Sequence, residues 1–134
     1  MAAPIITADG RVLYAPPPAR LADEVHPGLW MGGSWARYTE AFDAEYDRRR
    51  TEDGPTLPTD LGRVVAQVVA DVEARRKVLV RCAMGLNRSG LVVAVALSHL
   101  TGVSGMDVLA HLRRVRSPHV CCNPKFAEYV RAMW

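Results

Sequence analysis

The apolar positions of this chain fall into a few blocks of different period. Between residues 60 and 77 the sequence DLGRVVAQVVADVEARRK places apolar side chains at 61, 64, 65, 68, 69 and 72. That three-and-four spacing predicts an α-helix with one buried face. Thr59 or Asp60 can cap its start, with capping the expected job of Asp60, and Arg75, Arg76 and Lys77 suit its end. Lys77 to Arg81 then reads as a buried strand, and LVVAVALSHL, apolar on every side, reads as a helix surrounded by core that stops at Gly102. Met106, Leu109, Leu112 and Val115 outline a further amphipathic helix, and Phe126, Tyr129, Val130 and Met133 outline the last.

The first half of the chain carries weaker signals. Val12 to Tyr14 is a strand candidate, set apart by the stiff extended segment Pro16, Pro17 and Pro18. In HPGLWMGGS, Leu29 to Met31 form a brief strand between turn formers, residues 34 to 50 are expected as helix then loop, and TEDGPTLP (51 to 58) is turn chemistry. Helix, buried strand, glycine-bearing loop and buried helix in that order predict an α/β fold. Its small, mostly parallel central sheet is flanked by helices, and the loop lies at the carboxyl end of the central strand, where open sheets bind ligands.

Composition narrows the options. A chain of 134 residues, 49% hydrophobic, is expected to form one domain over 1 to 134, with residues 1 to 23 as an N-terminal extension. The net charge of +3 comes with basic clusters at Arg48 to Arg50, Arg75 to Lys77 and Arg113 to Arg116, expected on solvated faces and helix ends rather than against nucleic acid. Three cysteines, Cys82, Cys121 and Cys122, give neither a disulfide framework nor a zinc set. A reducing, cytoplasmic setting is the expectation, with no membrane span, no metal and no organic cofactor.

The candidate chemistry lies in VLVRCAMGLNRSG, residues 78 to 90. Cys82 ends the strand where the coming helix presents its free N–H groups and the positive end of its dipole, which favours the nucleophilic thiolate. The N–H groups of Ala83, Met84, Gly85, Leu86, Asn87 and Arg88 are expected to curl into a nest for a tetrahedral oxyanion, and the planar fork of Arg88 to close on it. Gly85 supplies backbone angles that a side chain forbids and lets the chain approach the ligand closely. Ser89 is placed to hydrogen-bond the sulfur and ease its departure. A nucleotide-binding loop fails, because Leu91 and Val92 stand where lysine and a hydroxyl residue are needed after the second glycine.

The stretch resembles the signature, cysteine, five residues, arginine, of the cysteine-dependent protein tyrosine phosphatases, and within them of the compact dual-specificity group. HPGLWMGGS is similar to that group's opening strand and turn, EDGP to its general-acid loop, and RSPHVCCNPKF to the segment where an asparagine precedes the last helix, so the likeness runs over residues 24 to 134. The resemblance implies phosphate-monoester hydrolysis through a phosphocysteine, on phosphorylated proteins or small esters. It also implies a general acid about thirty residues before the nucleophile. Asp53 stands 29 residues before Cys82 in a Gly-Pro turn and takes that role, with Asp60 its rival.

Two departures carry expectations of their own. Arg81 stands where the family has histidine, and strand alternation turns its side chain away from Cys82. The segment FDAEYDRRRTED has no apolar run, so either the sheet lacks a strand there or its edge is built differently. A catalytically dead phosphoprotein-binding module and a rhodanese-like sulfurtransferase are the alternatives. The loop interior has no Lys or His, which argues for a singly phosphorylated ester over a phosphoinositide. Cys121 and Cys122 either pack conventionally or react with Cys82 under oxidation. Asn123 either steadies the loop or caps the last helix, and the four histidines receive no role.

Overall fold

The computed structural model describes residues 5–6, 12–13, 22–33 and 42–133. Tyr14, the Pro16 to Pro18 segment and the helix expected from residue 34 lie outside them up to residue 41. Strand β1 (Ile5–Ile6) pairs antiparallel with β2 (Val12–Leu13), a partner that the sequence reading did not foresee.

A second sheet organises the rest. It comprises β3 (Ala22–His26), β4 (Leu29–Gly32), β5 (Ala44–Asp47) and β6 (Val78–Arg81), in the order β3-β4-β6-β5. Strand β6 runs parallel to both neighbours, and only β3 is antiparallel, to β4. Val78 and Val80 on one face of β6 and Leu79 on the other are all fully buried, so both faces of this central strand are covered. β3 escaped the sequence reading because one of its two inward positions is the polar Asp23, the other being Val25.

The segment around residue 45 corrects the expectation of loop. No strand is missing, because β5 occupies the edge. Its sequence AEYD turns Glu45 and Asp47 to solvent, while Ala44 and Tyr46 pack half-buried against the core. An edge strand with a charged outer face needs no apolar run. Its ends are tied by Asp43 N to Lys77 O (2.8 Å) and Arg48 N to Arg81 O (2.7 Å), and the Tyr46 hydroxyl meets the Asp71 carboxylate.

Helix α1 (Leu61–Glu73) buries Leu61, Val64, Val65 and Val68. It stops at Ala74 because Arg75 takes a left-handed φ of 61°, and Arg76 turns back to Asp71 at 3.2 Å. Asp60 occupies the N-cap position, yet its side chain makes no capping bond. Both its oxygens instead hold the buried Arg48, Nη1 at 2.9 Å and Nη2 at 2.7 Å. That ion pair, led by the hydrogen bond from Arg48, lowers the Asp60 pKa from 3.8. With the folded pKa below the unfolded one, the contribution is complete above about pH 4 and is lost as pH falls through the folded value. Asp60→Asn is expected to cost about 1 to 2 kcal/mol at pH 6 in urea unfolding, because it leaves Arg48 without its charge partner. The gap to wild type should shrink towards pH 3; a gap that stays constant across this range would contradict the assignment.

Helix α2 (Arg88–Thr101) is buried from Ser89 to Ser98 and ends on Gly102 in the left-handed conformation. Helix α3 (Gly105–Val115) is capped by the Ser104 side chain and buries Gly105, Val108, Leu109 and Leu112. Met106 and Val115 face outward, Met106 at 61% exposure, because a strict three-residue step drifts off the face of a 3.6-residue helix. A side chain at Gly105 would overlap the carbonyl of Val130 in α4 (Pro124–Arg131). That last helix buries Phe126, Ala127 and Val130, with Tyr129 largely exposed and Met133 beyond its end. His111, given no role from sequence, bonds the carbonyl of Val25 through Nε2 at 2.7 Å and ties α3 to β3. Among the described residues no helix is long and apolar enough to cross a membrane.

Candidate active site

The ladder of β6 ends where Cys82 N donates to Gly32 O at 3.2 Å, and the chain then turns through residues 83 to 87 into α2. Three consecutive carbonyls of that turn are engaged from one side. Met84 O and Gly85 O accept from Arg116, at 3.4 Å from Nη2 and 3.3 Å from Nε, and Leu86 O accepts from Cys121 N at 3.0 Å. In a trans peptide the N–H points opposite to the C=O, so the amides of Gly85, Leu86 and Asn87 face the other way. The free amides of the first turn of α2 follow directly. The result is a row of donors suited to an anion.

Gly85 has φ +69°, and a Cβ there would lie 2.6 Å from both Arg116 Nη2 and the Gly32 carbonyl carbon. Its lack of a side chain serves close contact with β4 and Arg116. Gly33 is similarly tight, 3.2 Å from Ala83 O if given a Cβ, so the two glycines after Met31 form the bed of the loop.

Cys82 is 1% exposed, and its sulfur lies 3.3 Å from the hydroxyl of the fully buried Ser89. Arg88 opens α2, and its Nη1 donates to Arg49 O (2.7 Å) and Thr51 O (3.0 Å). Its Nε is buried with no acceptor among the described residues, a state that costs free energy. Asp53 is exposed and is brought to the loop, its carboxylate receiving Asn87 Nδ2 at 3.1 Å and Asn123 Nδ2 at 2.8 Å. Asp60 is elsewhere, on Arg48. Arg81 points to Glu45 at 3.1 Å, as alternation predicts.

Asn123 caps α4, its Oδ1 accepting from Lys125 N, while its Nδ2 holds Asp53 and Gly54 O rather than the loop after Cys82, which only its backbone N–H meets, at Asn87 Oδ1. Burial pushes the Cys121 thiol up to about 12 and also raises that of Cys122, so both stay protonated at neutral pH. Cys121 packs against Gly90, whose added Cβ would lie 3.3 Å from its sulfur. Among the described residues, no group of three or more His, Cys, Asp or Glu side chains is arranged to hold a metal ion.

Sequence reasoning missed Arg116. Its side chain is 2% exposed and pairs with the buried Asp23 at 2.9 Å. Arg113 also turns inward, to Val120 O and Cys121 O, so the basic clusters are not simply solvated faces. The signal was present: Arg113 and Arg116 follow the buried Leu109 and Leu112 by one helical turn.

No known family description and no curated protein matches the sequence. Solved structures do match. Human DUSP28 superimposes with a TM-score of 0.70 at 22% identity, over 87% of this chain and 95% of that one. Tk-PTP in its active form gives 0.67 at 19%, over 84% and 97%. A human tyrosine phosphatase-like serine/threonine/tyrosine-interacting protein gives 0.65 at 16%, over 82% and 93%.

Proposed function

Starting from the fold of the compact dual-specificity phosphatases, which this chain shares, we propose that it hydrolyses phosphate monoesters through a phosphocysteine intermediate. The observation that carries the reading is the loop whose carbonyls at 84 to 86 are all held from outside, next to a buried Cys82 and the unsatisfied Nε of Arg88. The Cys82 thiolate attacks phosphorus while the loop amides and Arg88 hold the equatorial oxygens. The phosphorus–oxygen bond breaks as Asp53 gives its proton to the leaving oxygen. Water then attacks the phosphocysteine with Asp53 as base, and Ser89 donates to the departing sulfur. Phosphate leaves and the thiolate returns. No metal or cofactor takes part, since the dipoles and one guanidinium neutralise the phosphate.

The substrate class is a singly phosphorylated ester, phosphotyrosine or phosphoserine/threonine on proteins, because the loop side chains add no second cation. A reducing, cytoplasmic setting goes with a nucleophilic thiol. The binding-module alternative draws on the phosphatase-like neighbour above, and turnover distinguishes it: a module binds phosphate but hydrolyses nothing. A sulfurtransferase would release thiocyanate from thiosulfate and cyanide.

The test is the pH–rate profile of p-nitrophenyl phosphate hydrolysis. Asp53→Asn is expected to flatten the alkaline limb, and Asp60→Asn to leave its shape intact because that carboxylate belongs to Arg48. An unchanged limb in Asp53→Asn would remove the acid assignment.

A further inference from the structure

The general-acid loop does not rest on the phosphate loop by chance contact. Asn87, the residue before Arg88, is the centre of a network that joins three segments distant in sequence. Its Nδ2 donates to Asp53 at 3.1 Å, while its Oδ1 accepts from Asn123 N at 2.9 Å and from Cys122 Sγ at 3.3 Å. The backbone N–H of Asn123 can only donate, so the amide oxygen of Asn87 must face it and its NH2 must face Asp53. The same logic orients Asn123. Its Oδ1 accepts from Lys125 N, which leaves its NH2 for the other oxygen of Asp53 and for Gly54 O.

From this geometry, and resting on the reaction proposed above, we propose that Asn87 is a positioning residue for the acid step. Asp53 is exposed, and of the hydrogen bonds to its carboxylate one comes from the phosphate loop itself. That bond ties the carboxyl group to the residue whose neighbour clamps the phosphate, so the proton donor and the leaving oxygen keep one relative geometry. A general acid misplaced by about 1 Å loses on the order of a hundredfold in rate. A leaving oxygen that needs no proton is indifferent to that misplacement, which gives the role a distinctive readout.

The measurement is kcat/KM, which reports phosphoenzyme formation, for phenyl phosphate and for difluoromethylumbelliferyl phosphate. The first expels a basic phenolate that needs the proton; the second expels an anion stable without one. Two variants are informative. Asn87→Ala removes the bonds to Asp53, Asn123 N and Cys122 while Asn123 Nδ2 still reaches Asp53, and Asn87→Asp keeps an acceptor for Asn123 N but no longer donates to Asp53. Both should lose about tenfold or more on phenyl phosphate and less than about threefold on the activated ester, a pattern shared by Asp53→Asn. A folding effect of the new side chain acts on both esters alike and cancels in their ratio, whereas the carboxylate of Asn87→Asp also acts on Asp53 itself, so the uncharged Asn87→Ala decides the test.

If Asp53→Asn changes the ratio and the Asn87 variants do not, the positioning role is wrong while the acid assignment stands. If Asp53→Asn leaves the ratio unchanged, both fall together. Absence of turnover of either ester by the wild type overturns the proposed reaction and this inference with it.

Discussion

Cys82→Ser is expected to lower p-nitrophenyl phosphate turnover by about 10⁴-fold or more, with tungstate affinity kept within severalfold. The substitution is nearly isosteric, and the fully buried Ser89 hydroxyl 3.3 Å away remains to accept or donate a bond. What changes is the nucleophile. Sulfur is a far better nucleophile than a hydroxyl oxygen, whereas the amide row and Arg88 proposed to hold the anion are untouched. Oxyanion binding measured by calorimetry beside the assay separates chemistry from affinity. Turnover in Cys82→Ser comparable with wild type would end the phosphocysteine mechanism.

The second large effect concerns stability. Arg116→Met is expected to cost about 3 to 5 kcal/mol, because it breaks the buried ion pair with Asp23 and takes from two loop carbonyls the donor that holds them. For a chain of this size such a loss lowers Tm by about 10 °C or more. Replacing both partners, Asp23→Leu with Arg116→Met, removes the buried pair as a whole and should recover part of the loss, which a double-mutant cycle quantifies. Oxyanion affinity should stay weak in the double variant, since the carbonyls of Met84 and Gly85 are no longer held outward. A double variant that binds tungstate like wild type would show that Arg116 stabilises the fold without shaping the cup.

Much of the architecture is legible in local patterns. Leu61, Val64, Val65 and Val68 repeat at helical spacing, and the α1 they predict is present. The uniformly apolar run after Gly90 announces a buried helix, and Gly102 ends it through a backbone conformation that side chains disfavour. β5 was not legible, because an edge strand with two exposed carboxylates has the composition of a loop. β3 was obscured by the inward Asp23, whose partner Arg116 stands 93 residues away.

The sequence by itself determined the described helices, the central strand, and the placing of Cys82 and Arg88 at the two ends of one strand-to-helix loop, since each depends on neighbours within a turn or two of chain. Only the tertiary structure decided which charges are buried, which aspartate reaches the loop and which side chains steady it. Asp53 meets Asn87 across 34 residues and Asn123 across 70, and Asn123 meets Asn87 across 36. Local periodicity carries no information on contacts of that separation, because they form only after the sheet and its helices have brought the segments together.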